Sequence, residues 1–265
     1  GNGVEVYPFA PYSAAMHPIS CTSGARAAQR VVLGTVAAAL LAAPAAQAGD
    51  IRIHGRISGR PALDAGSAFD LHVEREDLAV DYDDGSSGGD LRIGRLGIAF
   101  HETLAPFLRG GIRIGWAGLT QSDRRATGGL DPSGYFAELA FAGAWPHRAP
   151  VAVALDAGWR YTSVDDGNAA GDEVEIDWQR LELRPALRLR LGPGVAARFG
   201  ATAIAVDGDE RRRAASTSVT TPFSADGTTG AFAALDLAWP DGDGITLGAR
   251  GGNPTGLFVR FEQRY

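Results

Sequence analysis

The chain predicts an all-β fold, an up-and-down antiparallel barrel of about ten strands, with eight to twelve compatible. Three features point to it. Apolar and polar residues alternate with a period of two over most of residues 49–265, the connections alternate in length, and aromatic residues gather at the ends of the alternating runs. Successive side chains on a strand point to opposite faces, so period two marks a sheet with one apolar face.

The cleanest run sets Val151, Val153, Leu155, Ala157, Trp159 and Tyr161 against Ala152, Ala154, Asp156, Gly158 and Arg160. Another sets Leu181, Leu183, Pro185, Leu187, Leu189 and Leu191 against Arg180, Glu182, Arg184, Ala186, Arg188 and Arg190. Leucine alternating this regularly with charge is incompatible with an amphipathic helix. Similar patterns cover 112–116, 135–141, 235–239 and 245–249, and weaker ones cover 51–57, 69–80, 91–100 and 195–206. Pro185 lacks the donor a closed sheet needs, so a bulge is expected there.

Short connections fall at 101–106, 145–150, 191–194 and 239–244; long polar ones fall at 81–90, 119–134, 163–173 and 207–229. Tight turns at one end and long loops at the other are the layout of a membrane barrel, whose strands cross a bilayer with only every second residue apolar. Trp145, Trp239 and Tyr265 then fall at the turn end, and Trp116, Tyr135, Trp159, Tyr161 and Trp178 at the loop end. Those are the positions of two interfacial girdles, where rings with one apolar and one polar edge settle. A soluble β-sandwich also alternates, but it requires no girdles.

The first 48 residues read as a segment removed on export. Arg26 and Arg30 precede the apolar run Val31–Ala43, and Ala46-Gln-Ala48 offers a small-residue cleavage site before Gly49. Charged flank, short apolar core and small-residue exit are the parts of a secretory signal peptide. The run is shorter than the ~20 residues a membrane helix needs. Met16 is the sole methionine and is read as the natural start. Cys21, the sole cysteine, leaves with this segment, so residues 49–265 contain none and gain stability without disulfides. All 25 basic residues are arginine, which suits buried ion-pair networks. A net charge of −6 argues against nucleic acid as a partner.

The closing run, Leu257-Phe-Val-Arg-Phe-Glu-Gln-Arg-Tyr265, puts Leu257, Val259, Phe261 and Tyr265 on one face and runs to a terminal aromatic residue. It resembles the C-terminal signature of Gram-negative outer-membrane β-barrels, with Gln263 departing from the usual apolar position. The resemblance implies an outer-membrane location, surroundings of lipid and lipopolysaccharide, and insertion by the barrel-assembly machinery acting on Leu257, Val259, Phe261 and Tyr265. Such barrels have an even number of strands, so ten are expected from Phe69 to Tyr265, with 51–57 outside the wall.

The inward faces are expected to carry Arg113, Asp156, Arg160, Arg180, Glu182, Arg184, Arg188, Arg198, Asp236, Arg250, Arg260 and Glu262. In a barrel this narrow, side chains fill the interior, and charges held away from water must pair. That favours a structural or surface-interaction barrel with a charge-filled lumen, needing neither cofactor nor metal. A narrow anion channel is the first alternative. The second is an outer-membrane enzyme, a protease or a lipid hydrolase, and the residues argue against it. Asp70/His72 and Asp81/Asp83 resemble the Asp–His and Asp–Asp pairs of the omptin proteases, but they lie roughly 30 Å apart on one strand at about 3.3 Å per residue. His101 and His147 fall in turns, where solvated roles are expected. The triplet Arg211-Arg-Arg213, read as an outer loop, could meet lipopolysaccharide phosphates.

Overall fold

A computed structural model describes residues 66–84, 89–121, 130–146, 149–214, 217–240 and 242–264. Ten strands follow in order: β1 (Ala68–Tyr82), β2 (Gly89–Ala105), β3 (Leu108–Gln121), β4 (Ser133–Trp145), β5 (Val151–Gly167), β6 (Glu173–Gly192), β7 (Val195–Ala214), β8 (Thr217–Ala238), β9 (Gly244–Gly252) and β10 (Thr255–Arg264). Each pairs antiparallel with its sequence neighbours, and β1 closes on β10 from Ala68↔Arg264 to Asp77↔Thr255. The fold is therefore the expected ten-stranded barrel, closed by the described strands alone. Segment 1–48 with its expected cleavage site at Ala46, Ala48 and Gly49, segment 51–57, His147 and Tyr265 lie outside the described residues.

Two local expectations are corrected. The stretch 207–229 is not a loop: β7 continues to Ala214 and β8 begins at Thr217, paired from Ala214↔Thr217 onwards. Its outward residues are mostly polar, while Phe223 and Ala225 face inward together with Glu210 and Thr221, so no apolar outer face marks it as strand. No bulge forms at Pro185 either. Leu183↔Ala203 and Ala186↔Gly200 keep one register across it, and Arg184 and Pro185 have no pairing partner on β7. The ladder absorbs the missing donor as a gap.

The wall changes strand number along its height. Strands β9 and β10 have 9 and 10 residues, against 20 and 22 for β7 and β8. Beyond the end of β10, β1 pairs directly with β8 at Asp81↔Ser224 and Tyr82↔Phe223, and Asp83 N donates to Pro222 O at 3.0 Å. The barrel is thus ten-stranded at the turn end and eight-stranded at the loop end. A bulge between Ile204 and Val206 in the β7–β8 pairing switches the inward set of β8 from Phe232 and Ala234 to Phe223 and Ala225. That is the ordinary effect of one extra residue on a strand. At the step, Asn253 covers the β1 peptide group that β10 no longer reaches: its Nδ2 donates to Ala79 O and its Oδ1 accepts from Ala79 N, both at 3.0 Å. Gly252 beside it takes φ +104°, a conformation other residues adopt only with strain.

Candidate functional site: a lumen filled in two layers

The outer wall has an apolar belt with a polar collar above it. Ile98, Ile112, Val153 and Leu257 are 57–67% exposed, and Leu96, Ile114, Phe141 and Leu247 join them. A contiguous exposed patch of this kind needs lipid as its neighbour. Above it the outward residues turn polar, with exposed pairs Arg92–Asp77 (2.9 Å), Arg211–Glu175 (2.6 Å) and Arg213–Glu173 (3.5 Å). Arg211, Arg212 and Arg213 are therefore on β7 rather than in a loop, and each already faces a carboxylate, Arg212 that of Glu210. From Trp159 to Gly167 the wall rises roughly 26 Å along β5, at about 3.3 Å per residue.

Trp116, Tyr135, Trp145, Trp159 and Trp239 are exposed on the wall, and Tyr161 is half-buried there with its hydroxyl donating to Asp177 Oδ1 at 3.0 Å. Trp178 is different. It is 1% exposed and packs inside the barrel, correcting its expected place in the girdle. The reason is parity: Trp178 shares the inward face of β6 with Arg180 and Glu182. On β10, Leu257 and Phe261 face out and Val259 is half-buried, while Phe258 points in.

The upper lumen is an apolar core. Leu78, Val80, Tyr82, Leu91, Ile93, Ala117, Leu119, Phe136, Val164, Val174, Ile176, Trp178, Ile204, Val206, Phe223 and Ala225 form one buried cluster. Every strand from β1 to β8 contributes and neither β9 nor β10 does, so this core belongs to the eight-stranded collar. Eight strands leave an interior that side chains just fill. The expected charge-filled lumen is thus corrected above the belt, where the inside is apolar. There water lies outside, so the inner face is the dry one. Glu210 closes the top, accepting from Tyr82 Oη at 3.0 Å and Gln121 Nε2 at 3.1 Å.

The lower lumen is an ion-pair network. At its centre Glu76 accepts from Arg95 (2.5 Å), Arg180 (2.6 Å) and Arg250 (3.2 Å), and Glu74 lies 2.7 Å from Arg250, 3.2 Å from Arg160 and 3.3 Å from Arg95. Glu138 joins Arg113 (2.9 Å) to Arg160 (2.7 Å), and Glu182 joins Arg180 (3.0 Å) to Arg250 and Arg184. Nearer the turn end, Arg198 bridges Asp156 and Asp236, both at 2.9 Å, and Glu262 holds Arg109 at 3.1 Å. Arg184 also stacks within 5.8 Å of the Phe232 and Phe258 rings. Gly248 makes room for Phe258, whose ring would lie 2.1 Å from a Cβ there.

Every lumen residue expected from the sequence enters an ion pair except Arg188 and Arg260, among the described residues. The network's centre was missed: Glu74, Glu76, Arg95 and Glu138 were not anticipated. A signal existed, because Asp70, His72, Glu74 and Glu76 form an unbroken polar face at period two. His101 is a further correction. It is 8% exposed on β2, with Nε2 2.6 Å from Asp70 Oδ2, because β2 continues past the expected turn to Ala105. Asp70 and His72 face the lumen, whereas Asp81 lies on the opposite face of β1 at its other end.

No protein-family model and no curated sequence matches the chain. It is similar in fold to the translocator domain of autotransporter NalP from Neisseria meningitidis, at 9% identity over 76% of this chain and 89% of that one, TM-score 0.44. It is similar also to the outer membrane protein OprG from Pseudomonas aeruginosa (11% identity, 76% and 97% covered, TM-score 0.40) and the outer membrane protease OmpT from Escherichia coli (8%, 74% and 93%, TM-score 0.41). A closed antiparallel ring with lipid-facing residues outside and its charges enclosed is decisive on its own terms. The chain is a closed ten-stranded antiparallel β-barrel with the apolar outer belt of a membrane-spanning wall.

Proposed function

We propose that this barrel is a sealed, rigid anchor with a structural or surface-interaction role, carrying its eight-stranded collar and loop-end hairpins beyond the membrane. The supporting observation is that the lumen is occupied twice, by the ion-pair network inside the belt and by the apolar core inside the collar. A channel has no use for a core in which Leu78, Leu91, Ile93 and Ile176 are 0% exposed. In this proposal the chain is exported with cleavage after Ala48, and the assembly machinery acts on Leu257, Val259, Phe261 and Tyr265. Lipid contacts the belt, and lipopolysaccharide meets the collar's exposed arginine–carboxylate pairs.

Purified protein in planar bilayers tests the sealed lumen. Baseline current at ±100 mV is expected. Steady single-molecule conductance that disappears when Ala225 is enlarged to Trp would overturn the proposal, since it would place the ion path through the collar core.

A further inference from the structure

We infer that the turn end of the lumen is a blind binding site for a small, multiply charged oxyanion of the phosphate class. A cavity of about 80 Å³ lies there, lined among others by His101, Arg109, Arg113, Arg184, Arg198 and Arg260. It is several times the ~10–15 Å³ that a single water occupies on the same measure. Its carboxylates, Glu138, Asp156 and Glu182, are each already engaged by two or more arginines. Among the described residues Arg260 has no carboxylate within 4.0 Å and donates only to Thr246 Oγ1, at 3.2 Å; Thr246 donates in turn to Asp236 at 2.9 Å. Arg188, which also has no carboxylate within 4.0 Å among the described residues, pairs with Arg198 in the β6–β7 register and adds positive charge to the turn end without lining the cavity.

The donor inventory agrees. The Nε atoms of Arg113 and Arg260 are buried and have no hydrogen-bond partner among the described residues. A buried guanidinium N–H without an acceptor is costly, and Arg has no neutral form in which to escape. An oxyanion offers several acceptor oxygens at once and balances the surplus positive charge, which chloride or water does less completely. Entry is from the turn end, where the Arg109 and Arg264 side chains are 27% and 53% exposed. The far side is closed by the Glu74–Glu76 network and the collar core, so the ion binds and leaves by one mouth. This inference concerns the lower lumen alone and stands whether or not the collar has a surface partner.

The test is calorimetric titration of inorganic phosphate into micelle-folded protein at low ionic strength, with matched chloride as reference. Saturable binding to one site is expected for phosphate and not for chloride. Arg260→Gln should weaken it at least ten-fold. Because Arg260 pairs with no carboxylate, that change orphans no charge, and the variant should melt at or above the parent temperature. Arg211→Gln on the outer collar should bind as the parent does. No saturable phosphate heat, equal affinity for chloride, or undiminished binding by a folded Arg260→Gln variant would each overturn the inference.

Discussion

Glu76 and Asp77 are consecutive, both acidic, and face opposite ways, which makes them a sharp test of the sealed lumen. Glu76 is 0% exposed and accepts from three arginines, Arg95, Arg180 and Arg250, at 2.5–3.2 Å. Asp77 faces water and, among the described residues, meets Arg92 alone, at 2.9 Å, with both side chains about half exposed. Glu76→Gln keeps shape but leaves those three guanidinium groups short of a countercharge. Removing one partner of a buried pair costs about 3–5 kcal/mol. At about 1.4 kcal/mol per factor of ten, the folded-to-unfolded ratio falls roughly 10²–10⁴-fold. Asp77→Asn removes an exposed pair worth about 0–1 kcal/mol. Urea unfolding of micelle-folded protein, read as the heat-modifiable band on unboiled gels, measures both. A Glu76→Gln midpoint indistinguishable from that of Asp77→Asn would refute the buried network.

Trp178→Ala should cost about 3–5 kcal/mol in the same assay, because it empties the collar core, whereas Trp116→Ala on the wall should shift the midpoint far less; equal effects would mean the collar is not packed as described. Asn253→Ala removes the cap on the Ala79 peptide group, a loss of about 0.5–1.5 kcal/mol per hydrogen bond. Hydrogen exchange of the Ala79 amide should speed by a few-fold to ten-fold, and unchanged exchange would count against the ten-to-eight step as drawn.

Much of this was legible from the residues alone. Period two in 151–161 and 180–191 fixed strands, and with them which residues share a face. The alternation of Leu257, Val259 and Phe261 on β10 likewise marks a wall-facing set. Parity also held the answer for Trp178, which shares a face with Arg180 and Glu182, yet a girdle was assigned from its position near a strand end. The collar was misread because the meaning of a face depends on its surroundings. In the belt the apolar face looks out at lipid, while at Leu78, Ile93 and Ile176 the same alternation turns the apolar face inward because water is outside.

By itself, then, the chain determined an all-β closed wall, its ten strands and the mixture of charges that face the lumen, since these follow from side-chain alternation along each strand. Only the tertiary structure decided that β1 meets β8 above the short β9–β10 hairpin, and that Glu76 collects arginines from β2, β6 and β9. It also left Arg188 and Arg260 without a carboxylate partner among the described residues. Those outcomes depend on ring closure, which sets residues more than a hundred positions apart within hydrogen-bond reach, and no local pattern encodes that distance.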